Sequence, residues 1–107
     1  VSPKMKRLNF LGDSLQQIKQ FPLSARKEAG VQLFKVQHGI EPSDWKPMKT
    51  VGPGVREIRI RDEAGAFRII YVASVGEMVF VLHAFQKKSQ QTAKRDLDLA
   101  IQRFRKI

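Results

Sequence analysis

The sequence predicts an α+β domain: a small antiparallel sheet with an N-terminal helical hairpin and a C-terminal helix, in the order β-α-α-β-β-β-α. Three observations predict it. Helical spacing of apolar residues dominates positions 13–38, alternation with a period of two takes over after Gly54, and helical spacing returns after Thr92. The chain has 107 residues, 42% of them hydrophobic, which suits a single domain spanning 1–107 with a flexible start over residues 1–5.

Each element has its own signal. Residues 6–11 (Lys6-Arg7-Leu8-Asn9-Phe10-Leu11) alternate weakly and read as a first strand ended by Gly12. Asp13 and Gln16 have the spacing of a capping box, and Leu11, Leu15 and Ile18 fit one helical stripe. Phe21-Pro22 ends that helix, because proline lacks an amide hydrogen and disfavours helix in the residue before it. Ser24 is a suitable cap for the next helix, whose Ala25, Ala29, Leu33 and Val36 recur at helical spacing as far as His38-Gly39. Residues 40–54, rich in proline and glycine, read as a loop. Three strands follow, residues 55–61, 67–73 and 78–85, joined by short turns into a meander. Thr92 is the expected cap of a last helix with Ala93, Leu97, Ala100, Ile101 and Phe104 on one stripe.

The charge is lopsided. Twenty Lys and Arg against ten Asp and Glu give a net charge of +10. Residues 87–107 alone carry seven basic and two acidic side chains. Clustered cations release counterions when they meet phosphates, which gives affinity for nucleic acid without sequence choice. An acidic protein partner, or a basic face that only aids solubility, fits the same charge. Cys is absent, which excludes disulfides, thiolate metal sites and a cysteine nucleophile. Two histidines, His38 and His83, are too few for a histidine metal cluster, so no cofactor or metal is expected. There is no apolar run of the roughly 20 residues that a membrane span needs. The basic start is followed by too short an apolar stretch for a signal peptide, so a soluble, cytoplasmic protein without a membrane partner is expected.

The strands carry arginines that plain core strands would not. Alternation puts Ile58 and Ile60 on one face of the first meander strand, with Glu57, Arg59 and Arg61 on the other. In the next strand Phe67, Ile69 and Tyr71 share a face and Arg68 points the other way. If the apolar rows face one core, Glu57, Arg59 and Arg68 share the opposite face. Guanidinium groups suit phosphate because their planar fork matches two oxygens and stays charged. Glu57 is then either a general base or the ion-pair partner of Arg59 or Arg68. The competing reading is a solvent-facing strand with cross-strand ion pairs. His83 sits in the apolar third strand, where a packing role competes with a catalytic one. His38, at a helix C-terminus, reads as a favourable end charge. Trp45-Lys46-Pro47-Met48-Lys49 pairs an aromatic with two lysines, which suits a stacked base and its phosphate, although a loop Trp more often pins its loop.

The tracts Val55-Arg56-Glu57-Ile58-Arg59-Ile60, Phe67-Arg68-Ile69-Ile70-Tyr71 and Val79-Phe80-Val81-Leu82-His83-Ala84-Phe85-Gln86-Lys87-Lys88-Ser89-Gln90 resemble the RelE/HigB superfamily of bacterial toxins, in its phage-derived HigB-like branch. The resemblance spans residues 6 to about 105. It implies a RelE-like fold and the toxin of a type II toxin–antitoxin module. Such toxins are ribosome-dependent endoribonucleases (mRNA interferases) that cut mRNA and block translation. The partners it implies are mRNA on the ribosome and a cognate helix-turn-helix antitoxin of the HigA-like kind, with operator DNA reached only through the antitoxin. By the same resemblance Arg68 matches the strand arginine that stabilises the scissile phosphate. Lys87, with Lys88 beside it, matches the basic residues after the last strand, and Arg59 matches a basic strand position. The chain departs from many relatives in having Lys87 where they have arginine, and no tyrosine after Tyr71.

A metal-independent ribonuclease needs the substrate's own 2′-hydroxyl to attack phosphorus. In this reading Arg68 and Arg59 stabilise the phosphorane, Lys87 or Lys88 assists the leaving oxygen, and Glu57 or His83 is the base. Lys88, Arg56, Arg61, Lys46, Lys49 and Lys94 are the expected phosphate contacts. Two other classes share these residues: a non-catalytic nucleic-acid-binding protein, and a ParE-like inhibitor of gyrase on the same fold.

Overall fold

The computed structural model describes residues 5–107. The expected flexible start therefore falls, except for Met5, outside the described residues. In chain order the elements are β1 (Arg7–Phe10), α1 (Ser14–Lys19), α2 (Leu23–Gln37), β2 (Trp45–Pro47), β3 (Val55–Asp62), β4 (Gly65–Val72), β5 (Met78–Lys87) and α3 (Lys94–Phe104). They build one five-stranded sheet in the order β1-β5-β4-β3-β2. β1 runs parallel to β5 and the other neighbours are antiparallel.

The α+β class and the order of the expected elements agree with the sequence, but the sheet is mixed rather than wholly antiparallel, because β1 joins the edge of β5 in parallel. One strand is additional. Residues 40–54 were expected to be loop throughout, yet Trp45–Pro47 pairs with Arg56–Ile58 of β3. Three residues are too few to show a period, and proline is tolerated because β2 is an outer strand of the sheet.

Each face of the sheet has its own apolar cluster. On one face Ile18, Phe21, Ala25, Ala29, Leu33 and Val36 of the helical hairpin cover Ile58, Ile60, Phe67, Ile69 and Tyr71. On the other, Leu97, Ala100, Ile101 and Phe104 of α3 cover Val55, Ile70, Val72, Leu82 and Phe85. That second face also carries Glu57 and Arg59, which lie opposite Ile70 and Arg68 in the β3–β4 ladder.

Three expected helix caps are used differently. Asp13 precedes α1 without a side-chain cap bond, and its carboxylate instead accepts from Arg103 Nη2 at 2.8 Å. The first turn of α2 has Pro22 ahead of it, and the Ser24 hydroxyl donates to the Asp62 carboxylate at the tip of the β3–β4 hairpin. Ala93, not Thr92, precedes α3, and the Thr92 hydroxyl donates to Glu57. In each case a tertiary partner outcompetes the local amide. Gly39 does close α2 in the left-handed conformation, with φ +74°.

β5 contains a bulge. Ile70 of β4 faces His83, while the next residue, Tyr71, faces Val81, so Leu82 is an extra residue. Val81 therefore packs in the helical-hairpin cluster, whereas Leu82 joins the α3 cluster. His83 also meets α3, its Nε2 lying 2.7 Å from Asp96 Oδ1.

Arg103 locks this corner. Its Nη1 donates to the Leu82 carbonyl at 3.0 Å and lies 3.3 Å from His83 Nδ1, while Nη2 holds Asp13. The Arg103 hydrogen bond keeps the Asp13 carboxyl below its ordinary value of 3.8, with a further bond from Gln17 adding to it. Gly12 makes room for the guanidinium: a Cβ there would lie 2.3 Å from Arg103 Nε, and φ is +55°. Gly12→Ala is expected to lower unfolding stability by about 1–2 kcal/mol from the left-handed backbone alone. The displaced guanidinium adds to that loss. Urea denaturation of the two proteins measures it; an unchanged midpoint would remove the proposed fit between Gly12 and Arg103.

Candidate active site

The charged side chains gather where α3 leaves the sheet uncovered. Glu57 is at the centre, with 0% of its surface exposed. Its Oε1 lies 3.6 Å from Arg68 Nε and 3.8 Å from Lys46 Nζ, and its Oε2 accepts from Thr92 Oγ1 at 3.3 Å. A buried carboxylate needs such company, because desolvated charge is costly unless it is paired. Arg59 is the ladder partner of Arg68, so two guanidinium groups occupy neighbouring positions on one face. Asp44 offsets part of that repulsion at 4.0 Å from Arg59 Nη1.

The cluster is under-bonded. Glu57 Oε1, Arg59 Nε and Arg68 Nε are buried without a hydrogen-bond partner. At 3.6 Å the Arg68–Glu57 pair has charge attraction but not hydrogen-bond geometry. Arg68 has 11% of its side chain exposed. Burial lowers the pKa of its guanidinium from the ordinary value; Glu57 opposes that shift and Arg59 adds to it. Both effects favour an added anion.

Lys87 joins the same face from β5. It pairs with Ala66, two residues from Arg68 along β4. The bulge puts it there. With uninterrupted alternation Lys87 would share the face of Val79 and Val81 and point away from Arg68. Partial burial, then the positive charge of Arg68, lowers the Lys87 pKa from its ordinary 10.5; Glu57 works the other way. An open groove runs over Arg68, Lys87, Lys88, Ser89 and Gln90.

The expected site residues divide into two groups. Glu57, Arg59, Arg68, Lys87 and Lys46 come together, Lys88 borders them in the groove, and Arg61 extends the row at the exposed end of β3. Arg56 lies on the opposite face of the strand, 3.9 Å above the centre of the Trp45 ring and 3.4 Å from Glu41. Trp45 thus stacks under an arginine within the chain. Lys49 borders a separate depression beside Trp45 and Pro47. Lys94 pairs with Asp98 at 2.8 Å along α3. His83 is 4% exposed, with Asp96 on one ring nitrogen, Arg103 beside the other and Phe85 stacked 5.2 Å away. Since Arg103 can only donate, His83 Nδ1 accepts and Nε2 carries the hydrogen to Asp96.

Thr92 was missed as a partner of Glu57. A Ser or Thr just before a helix reads as a cap, and the separation of 35 positions between Thr92 and Glu57 hides the bond. Among the described residues no group of three or more His, Cys, Asp or Glu side chains could hold a metal ion. No helix among them is long and apolar enough to cross a membrane.

The comparisons with known proteins place this architecture. The fold is that of the RelE toxins: the structure of the E. coli toxin RelE in the free state, in a variant with two arginines replaced by alanine, superposes with a TM-score of 0.70. That match covers 92% of this chain and 97% of the other at 18% identity. The sequence model of the phage-derived Gp49-like proteins matches residues 16–105, and the chain belongs to that family. No curated protein sequence matches it. The expected RelE-like fold agrees with the structural match, and the expected phage-derived origin agrees with the family match.

Proposed function

We propose that this chain is the toxin of a type II toxin–antitoxin module, an endoribonuclease that cuts mRNA on the ribosome and is neutralised by a cognate helix-turn-helix antitoxin. The observation that carries the reading is the under-bonded cation cluster: Arg59, Arg68, Lys46 and Lys87 around one buried carboxylate. A phosphodiester supplies the oxygens those groups lack. The likeness to a protein described as a toxin supports the biological role.

The chemistry follows from the positions. Arg68 and Arg59 bind the scissile phosphate and stabilise the dianionic phosphorane, where preorganised donors gain most. The phosphate draws Arg68 and Lys46 off Glu57, and Oε1 becomes the acceptor for the 2′-hydroxyl proton. The O2′–P bond forms, the P–O5′ bond breaks, and the Lys87 ammonium gives its proton to O5′. The products are a 2′,3′-cyclic phosphate and a 5′-hydroxyl. His83 has no part in these steps, because both ring nitrogens are engaged. Its role is to hold β5 against α3. No group here is a strong acid or base at neutral pH, which suits an enzyme whose substrate is oriented by the ribosome.

Expression in cells followed by primer extension on transcripts tests this reading. Cuts within translated codons are expected. Intact transcripts with a DNA-damage response would point to gyrase inhibition, and intact transcripts with neither would leave a nucleic-acid-binding protein. The antitoxin is tested by co-purification with the product of an adjacent reading frame.

Lys87 gives a pH dependence with a fixed sign. Its folded pKa is depressed, so the ammonium is present below the depressed value and is lost as pH rises through it. The cutting rate is therefore expected to fall on the alkaline side before the ordinary 10.5 is reached. Lys87→Arg keeps its charge there, so its alkaline fall should move upward even though its overall rate is lower. An unmoved profile would take Lys87 out of the proton transfer.

A further inference from the structure

A second cavity lies directly across β5 from the phosphate groove. β1 pairs only with Met78–Val81, so the edge of β5 that faces away from β4 has no strand beside it from Leu82 to Lys87. The gap is bounded by the end of α1 and the start of α3 and forms an open cleft of about 580 Å³. That volume is within the roughly 300–1,000 Å³ of small-molecule sites. Lys87, Lys88 and Ser89 line both this cavity and the phosphate groove. A strand leaving the groove over that ridge enters the cavity next.

The lining fits a nucleobase. Gln17, Gln20 and Gln86 all border the cavity, together with the rings of Phe21 and Phe85. Two of the amides have a fixed orientation. Gln17 Nε2 donates to Asp13 Oδ2 and Gln86 Nε2 donates to the Ala64 carbonyl, each at 3.1 Å. Both partners accept only, so the amide nitrogen must face them. Each amide keeps its carbonyl oxygen and one N–H, a donor beside an acceptor, which is the pattern with which Gln reads a base edge. Lys88 and Arg95 also line the cavity and offer charge for an adjoining phosphate.

We propose that this cavity between α1, β5 and α3 is a nucleobase subsite, which holds the base next to the scissile linkage and gives the cutting its sequence preference. Gln17 and Gln20 are its reading residues and Arg95 its phosphate contact. The inference rests on the nuclease reading for its biological meaning, but base binding itself does not need cutting.

The test therefore reads binding. Labelled hexanucleotides with 2′-O-methyl groups, which cannot be cut, are titrated with the whole chain and followed by fluorescence anisotropy. One series carries all six bases. Two others are abasic at the residue on either side of the central linkage. The expected result is a loss of about tenfold in affinity when one particular neighbour is abasic. Gln17→Ala with Gln20→Ala should bind the complete oligonucleotide as weakly as the abasic one and no longer distinguish them. Gln20→Glu, which leaves the Gln17–Asp13 bond intact, should show the same loss of discrimination. Equal binding of complete and abasic strands by the unaltered chain would overturn the subsite, as would discrimination that survives both variants or no binding at all. Failure of the nuclease reading looks different: transcripts stay whole while the base discrimination persists.

Discussion

Arg68→Ala is expected to reduce transcript cutting by about 10²–10³-fold, the scale seen when one preorganised donor to a developing anion is removed. Arg68 is the guanidinium closest to Glu57, it is almost wholly enclosed, and its Nε has no hydrogen-bond partner to lose. Its removal takes away a phosphate donor and leaves Lys46 and Thr92 on the carboxylate. Arg68→Lys separates charge from shape. A lysine keeps a cation beside Glu57 but cannot span two phosphate oxygens, so the fold should be retained and only part of the activity recovered. Primer extension on transcripts from cells expressing each form measures the effect, and thermal unfolding checks the fold. Cutting by Arg68→Ala at the unaltered rate would end the assignment of this arginine.

Ile69→Ala should be the most damaging single truncation for stability. Ile69 is 0% exposed in the middle of the central strand, opposite Ile58 on one side and Ala84 on the other. The helical hairpin closes over it. Removing a buried isoleucine to alanine costs about 2–5 kcal/mol, because the lost transfer energy is joined by an unfilled cavity. A domain of this size holds only about 5–15 kcal/mol in all. The melting temperature should fall by something on the order of 10–25 °C. In urea the midpoint should drop with an unchanged slope. A loss below about 1 kcal/mol would mean that the hairpin settles onto the sheet and fills the space.

Much of this architecture was legible in the residues. The period of two in Val55–Asp62 and Gly65–Val72 fixes which side chains share a face, and Arg59 and Arg68 do end up as ladder partners. The stripe Ala25, Ala29, Leu33 and Val36 is buried as its spacing requires. The parts that were not legible depend on partners distant in sequence. Asp13, Ser24 and Thr92 each have the local chemistry of a helix cap, and each bonds to a residue 35 or more positions away. Trp45–Pro47 becomes a strand only because β3 offers an edge. The same limit applies to His83. Its type suggests chemistry, and only the fold brings Asp96 and Arg103 to its two ring nitrogens.

The extra residue at Leu82 has a consequence for how this chain tolerates change. It acts as a reading-frame shift for side chains: everything after it in β5 swaps between the face under the helical hairpin and the face under α3. Deleting Leu82 would leave the composition and net charge of the chain nearly intact, yet it would rotate the lysine to the wrong surface and turn Phe85 away from α3. Strand length there is as strict a requirement as residue identity, and a designer should fix the count before choosing the letters.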